Sequence, residues 1–175
     1  MARFVDAHER SVGVTQNEGA EGDPMIRTAL PADLPQLQRV FRAASLSNVG
    51  DAPRLLAHPE FLVFTGDGIA GGWTRLAESG PADMCTVLGF VTAVPGSDRE
   101  LELDDLFVDP QFQRRGVARE LISDTVESAR AGRYRRLSVI ANPHASAVYS
   151  AVGFLGGDQV TTALGEGLRM HLEIT

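Results

Sequence analysis

The stretch Leu103-Asp-Asp-Leu-Phe-Val-Asp-Pro-Gln-Phe-Gln-Arg-Arg-Gly-Val-Ala118 decides how this chain is read. Leu101 to Val108 reads as a strand, and Asp109-Pro110 stops it, because proline has no N–H to give to a sheet ladder. A helix follows from about Arg114 to Arg130. Its Val117, Leu121, Ile122, Val126 and Ala129 form one apolar stripe, and Gly132 is its C-terminal cap. Gln113-Arg-Arg-Gly-Val-Ala118 therefore opens the helix just after a strand. The first N–H groups of a helix lack partners, and the helix dipole places about half a positive charge there. Gly116 lets an anion approach the backbone, Ala118 is small, and Arg114 and Arg115 add charge, an arrangement that suits a pyrophosphate. The segment is not a Walker loop, which ends in Gly-Lys-Ser/Thr, nor a dinucleotide fingerprint, which needs three glycines. Taken alone, an ordinary capped helix with a surface arginine pair explains it as well.

Downstream, Leu137 to Ala141 is a short, nearly continuous apolar strand, as expected when both faces are covered. Strand, helix and strand imply a parallel pair with a right-handed crossover. Asn142-Pro143 starts another helix, with Asn as N-cap and Pro at the first helical position. Ala145, Val148, Tyr149 and Val152 share its inner face, Gly153 ends it, and Phe154 to Val160 and Leu168 to Ile174 are closing strands. Upstream, Thr86 to Val94 is β-rich and pairs antiparallel with Leu101 to Val108. Ile26 to Ala29 and Phe61 to Phe64 read as strands. Leu34, Leu37, Val40 and Phe41 recur at helical spacing, and a second short helix covers Ala52 to Ala57. Ile69 to Met84 is the least readable part, a strand around Trp73 followed by a Gly-Pro loop. Met1 to Pro24 has no hydrophobic period and reads as a flexible tail, with Met25 an alternative start. The remainder, 25–175, is one α/β domain with a mixed sheet.

At this point the sequence resembles the GNAT acyltransferases. Gln113-x-x-Gly116-x-Ala118 after Leu103-Asp-Asp-Leu-Phe-Val-Asp-Pro matches that family's acyl-CoA signature, and Asn142-x6-Tyr149-x3-Gly153-Phe154 matches its later motif. The resemblance extends more weakly from Ile26 to Ile174. It departs at Gly66 to Met84, where the family usually has a tight hairpin. It implies a mixed sheet of six to seven strands with about four helices, and a splayed parallel pair, Leu101 to Val108 and Leu137 to Ala141, holding acetyl-CoA. By resemblance, the backbone of Leu106, Phe107 and Val108 pairs with the pantetheine arm. The N–H groups of Gln113, Arg114, Arg115, Gly116, Val117, Ala118 and Arg119 hold the pyrophosphate. Asn142 touches the coenzyme, caps its helix, or does both. Tyr149 matches the family's general acid for the leaving thiolate. Counting six residues back from Val108 gives Glu102 as the base that some members carry, with Asp104 and Asp105 as alternatives. An unbulged strand puts Glu102 and Asp104 on one face and Asp105 on the other; the family commonly bulges there. The plain alternative for these acids is a charged edge strand guarded against aggregation.

The implied activity is direct transfer of acetyl from acetyl-CoA to a primary amine of a small molecule or peptide. A non-catalytic acyl-CoA sensor or interaction domain on the same fold is the alternative. Net charge is −7, and Asp98 to Asp109 holds six acids against Arg99. This favours a cationic acceptor and disfavours nucleic acid, which calls for a basic surface. All 16 basic residues are Arg, so the protein cannot acylate lysine side chains of its own. No apolar run approaches the ~20 residues of a membrane span, and Met1 to Met25 lacks a secretory apolar core. A cytoplasmic protein with no membrane partner is expected, and the family leaves room for a homodimer. Cys85, the only cysteine, excludes an internal disulfide and reads as a small buried hydrophobe. His8, His58, His144 and His171 have no metal-ligand spacing, so no metal is expected.

Overall fold

A computed structural model describes residues 24–80, 85–162 and 165–175; all but Pro24 of the expected tail at 1–24, and residues 81–84 and 163–164, lie outside it. Seven strands form one sheet: β1 (Met25–Thr28), β2 (Thr74–Ser79), β3 (Thr86–Pro95), β4 (Glu100–Val108), β5 (Arg136–Ala141), β6 (Leu155–Thr162) and β7 (Gly165–Glu173). Their order is β1-β2-β3-β4-β5-β7-β6. Only β4 and β5 run parallel; every other neighbouring pair is antiparallel. Five α-helices accompany the sheet: α1 (Leu34–Ser47), α2 (Ala52–Ala57), α3 (Asp67–Ala70), α4 (Val117–Ala131) and α5 (Ser146–Ala151).

Helical and strand periodicities meet in two cores, one on each face of the sheet. On one face, Leu37, Val40 and Phe41 of α1 pack on Phe64, Phe90 and Phe107. The Phe41 and Phe107 rings meet edge to face at 4.8 Å, a geometry favoured by the ring quadrupoles. On the other face, Val117, Leu121, Ile122 and Ala129 of α4 and Tyr149 of α5 pack on Leu101, Leu103, Leu106, Leu137 and Val139. Each large side chain fully buried this way contributes about 1.5–3 kcal/mol. Helix α1 reaches over β3 and β4. Past β5, the same face carries Ser138, Ile140, Arg169 and His171, none of them buried.

Three expectations are corrected. Phe61 to Phe64 is not a strand: Pro59–Leu62 is a 3-10 turn. The Gln38 amide of α1 supplies what a neighbouring strand would have given, accepting from the Phe64 N–H at 2.7 Å and donating to the Leu62 carbonyl at 2.8 Å. Helix α4 begins at Val117, not Arg114, because Arg114 and Gly116 adopt left-handed backbone conformations. Cys85 is half-exposed at the entrance to β3. The strand sought around Trp73 starts one residue later, and Trp73 itself is 43% exposed.

Candidate functional site

The parallel pairing of β4 with β5 runs from Glu100↔Arg136 to Leu103↔Val139 and stops there. Beyond it β4 continues to Val108 and β5 to Ala141, so the two strands part into a fork. The cause lies on the opposite edge of β4. Thr92 of β3 faces Asp105 while its neighbour Ala93 faces Leu103, so Asp104 is an extra residue, a β-bulge. A bulge bends its strand and increases the local twist. It also resets the alternation: Asp105, not Asp104, takes up the face of Glu102, while Leu101, Leu103, Leu106 and Val108 all stay in the α4 core.

Backbone direction follows from the same register. The Asp109 N–H donates to the Leu88 carbonyl across the β3–β4 pair at 2.8 Å. Antiparallel alternation then turns the N–H and C=O of Phe107 toward β3 and those of Leu106 and Val108 toward the fork. Gly89 agrees with this: a Cβ there would lie 2.7 Å from the Phe107 carbonyl oxygen. Phe107 therefore has its peptide group engaged by β3 and its ring in the α1 core.

The loop after β4 is held from below. Asp109 is 3% exposed. One of its oxygens accepts from the Gln111 N–H at 3.0 Å, and the other is paired with Arg39 of α1. Arg39 also donates to the Val87 carbonyl at 3.2 Å. Asp109 thus clamps the loop onto α1 and is not part of an acidic surface, a role the linear sequence does not disclose. Above the clamp, Arg114 has φ +63° and Gly116 φ +88°. Turns with left-handed residues point successive N–H groups to one side and make anion-binding concavities. The first intrahelical bond of α4 is from Glu120 N–H to the Gly116 carbonyl, at 3.0 Å. The N–H groups of Val117, Ala118 and Arg119 precede it and face out of the helix start. No heavy atom lies within 4 Å of the position a Gly116 Cβ would take, so the mouth of the loop is open. The Arg115 guanidinium lies over the Phe112 ring, 5.5 Å from its centroid, and the Gln113 side chain reaches back to the Val108 carbonyl at 3.4 Å.

Asn142 and Tyr149 follow the end of β5. The Asn142 side-chain oxygen accepts from the His144 N–H at 3.0 Å, which makes it an N-cap. Tyr149 is fully buried, with its ring edge-on to Phe154 at 5.4 Å. Burial first, and the negative charge of Asp105 second, push its phenol well above the usual tyrosine range, so it stays neutral.

On the α1 side, at the base of the fork, lies a pocket of about 150 Å³. Gly96 and Ser97 of the β3–β4 turn, Glu100 and Glu102 of β4, Ser138, Val139 and Ile140 of β5, and Arg169 of β7 line it. Ser138 and Arg169 carry no motif; only the register Glu102↔Ser138 and Ile140↔Arg169 brings them together. Among the described residues, no three His, Cys, Asp or Glu side chains gather as a metal site requires. No helix among them is long and apolar enough to cross a membrane.

The family model for acetyltransferases of the GNAT family matches residues 51–154. The chain belongs to the GNAT family. No curated protein matches the sequence, but many solved GNAT structures share its fold. PaiA N-acetyltransferase from Thermoplasma acidophilum, solved with coenzyme A, is 16% identical with a TM-score of 0.65, covering 87% of this chain and 99% of that one. The protein yncA of Salmonella typhimurium, solved with acetyl-CoA, is 17% identical with a TM-score of 0.66, covering 88% and 95%. A ribosomal-protein-alanine N-acetyltransferase from Escherichia coli is 18% identical with a TM-score of 0.62, covering 87% and 94%. Such identities establish the shared GNAT architecture: a mixed seven-stranded sheet with five helices.

Proposed function

We propose that this GNAT protein is an N-acetyltransferase that takes acetyl from acetyl-CoA and passes it to a primary amine by direct attack. The observation that carries the reading is the fork between β4 and β5, opening beside a left-handed loop whose mouth is clear at Gly116. The residues suit coenzyme A. Leu106 and Val108 turn their peptide groups toward the fork, where an extended pantetheine arm could add like a strand and would share the Val108 carbonyl with Gln113. Gln113 to Arg119 offer N–H groups and a positive helix end for the pyrophosphate. Asn142 keeps its amide nitrogen as a donor while its oxygen caps the helix. Phe107, by contrast, has no peptide group left to give, so the coenzyme contacts fall on its two neighbours.

Acetyl-CoA supplies an acyl thioester activated toward nitrogen nucleophiles. The chain must then manage two protons. An amine acceptor is mostly an ammonium ion at neutral pH, and Glu102, half-buried in the pocket at the fork, takes its proton directly or through water. Asp105 faces buried Thr92 and, unlike Glu102, does not line the pocket. Tyr149 is held neutral and donates toward the departing sulfur. A phenol above its usual ~10 is a weaker acid than a thiol near ~8.5. It therefore acts chiefly as a hydrogen-bond donor to developing charge, and full proton transfer is uphill.

The test is thiol release from acetyl-CoA in the presence of amines, polyamines, amino acids and peptide N-termini. Saturable release that requires both acetyl-CoA and an amine supports the reading. Tight coenzyme binding without turnover on any acceptor would make the protein an acyl-CoA sensor, and failure to bind acetyl-CoA would overturn both.

A further inference from the structure

The acidic strand of β4 suggests a purely cationic acceptor, but the pocket at the fork is not purely acidic. Glu100 and Glu102 enter it from β4, and Arg169 enters from β7, two strands away. None of these three makes an ion pair with any described residue. Asp158 stands opposite Arg169 across the β6–β7 pair and does not neutralise it either. Other arginines of the chain do close on acids, Arg27 on Asp33 and Glu78, Arg75 on Asp124, and Arg136 on Glu173, while Arg169, like the exposed Arg99 and Arg133, does not. A guanidinium and two carboxylates share one small cavity without closing on one another.

The register explains why. Glu102 lies opposite Ser138, and Arg169 opposite Ile140, one step further along β5 on the same face. Two strand spacings of about 4.8 Å plus one two-residue advance of about 6.6 Å separate their backbones. Ser138 and Ile140 of β5 lie between the two side chains on that face.

We propose, building on the N-acetyltransferase reading, that Arg169 determines acceptor specificity by binding a carboxylate. The acceptor is then a small zwitterion, an amino acid, whose ammonium lies against Glu102 and Glu100 and whose carboxylate lies against Arg169. Arginine suits this task because its planar donors match a carboxylate in bidentate fashion. The cavity of about 150 Å³ has room for an acceptor of this size. The ammonium would then lie beside Glu102, the carboxylate proposed above as the base.

The experiment compares common L-amino acids, each beside its own carboxamide, at saturating acetyl-CoA with thiol release as readout. The amine of a carboxamide loses its proton more readily, so intrinsic reactivity favours the amide, and a preference for the acid must come from the pocket. At least one amino acid should exceed its carboxamide in kcat/KM by on the order of 10- to 100-fold, the value of a charge-assisted contact. Arg169→Gln should raise KM for that amino acid by a similar factor and remove the preference, with acetyl-CoA affinity unchanged; Arg169→Lys should restore part of it. Calorimetry of the same amino acid on protein loaded with coenzyme A gives a readout independent of turnover, and binding should weaken in parallel. Carboxamides or simple amines used as well as the acids, or a preference that survives Arg169→Gln, would overturn the proposal while leaving the acetyltransferase intact. Absence of acetyl-CoA binding would remove the acetyltransferase and this inference with it.

Discussion

The two sides of the fork are built from different materials. The side that faces α4 is made of backbone: the peptide groups of Leu106 and Val108, the left-handed turn at Arg114 and Gly116, and the open N–H groups of Val117 to Arg119. The side that faces α1 is made of side chains drawn from three strands: Glu100, Glu102, Ser138 and Arg169. A backbone site depends on a short run of residues that permit one conformation, so it survives exchange of most outward side chains. A side-chain site depends on which strand lies beside which, and any one of its members can change without disturbing the fold. On the function proposed above, the donor half of the site is generic and the acceptor half is particular to the chain.

The contrast predicts that changes on one side leave the other unaffected. The largest effect is expected from Glu102→Gln, which should lower kcat/KM by roughly 10²- to 10⁴-fold, as loss of a general base does. It should also flatten the acidic limb of the pH–rate profile while leaving the dissociation constant of acetyl-CoA unchanged. An equal loss of coenzyme affinity would show that the two sides are not separable. Next comes Tyr149→Phe, with turnover falling roughly 10²-fold from the lost donor to the leaving sulfur and little change in KM for the acceptor. Gly116→Ala tests the other side. A non-glycine residue at φ +88° costs about 1–2 kcal/mol, and its methyl group would project into the mouth of the loop. Acetyl-CoA binding should weaken about tenfold, the factor that ~1.4 kcal/mol gives, while acceptor selectivity stays as it was.

The smallest effect is on stability and comes from Tyr149. Its phenol is raised in the folded state by burial and by Asp105. The unfolded chain therefore loses this proton near pH ~10 while the folded chain keeps it, so stability is intact below that pH and falls as pH rises above it. The slope is at most about 1.4 kcal/mol per pH unit for one proton. The chain has no lysine, and Tyr134 is its only other tyrosine, so the window is uncrowded. Urea titrations between pH 9 and 11 should show the decline, and Tyr149→Phe should abolish most of it.

Much of the donor half was legible because each of its requirements is local. Pro110 must stop a strand, Gly116 must leave room for an anion, and the Leu121–Ala129 stripe must face a sheet; linear spacing reveals all three, but not the left-handed turn at Gly116. The helix start was misplaced because Arg114 takes a left-handed conformation that its residue type does not advertise. Phe107 was grouped with Leu106 and Val108 because alternation of peptide direction depends on the β3 register, which no single strand contains. Asp104 was a bulge that sequence could suspect but not locate. The acceptor half was hidden for the same reason in stronger form: Arg169 stands 67 positions from Glu102 in the chain and reaches its pocket only because β7 inserts between β5 and β6.

Amide hydrogen exchange, followed residue by residue with and without acetyl-CoA, tests most directly whether the fork and loop are the coenzyme site. Binding should slow exchange at Leu106, Val108 and Gly116 to Arg119, where peptide N–H groups await a partner. Phe107 should be unchanged, since its N–H already belongs to the β3 ladder. Protection confined to other parts of the sheet, or no change at Val108 and Gly116 under saturating coenzyme, would contradict it.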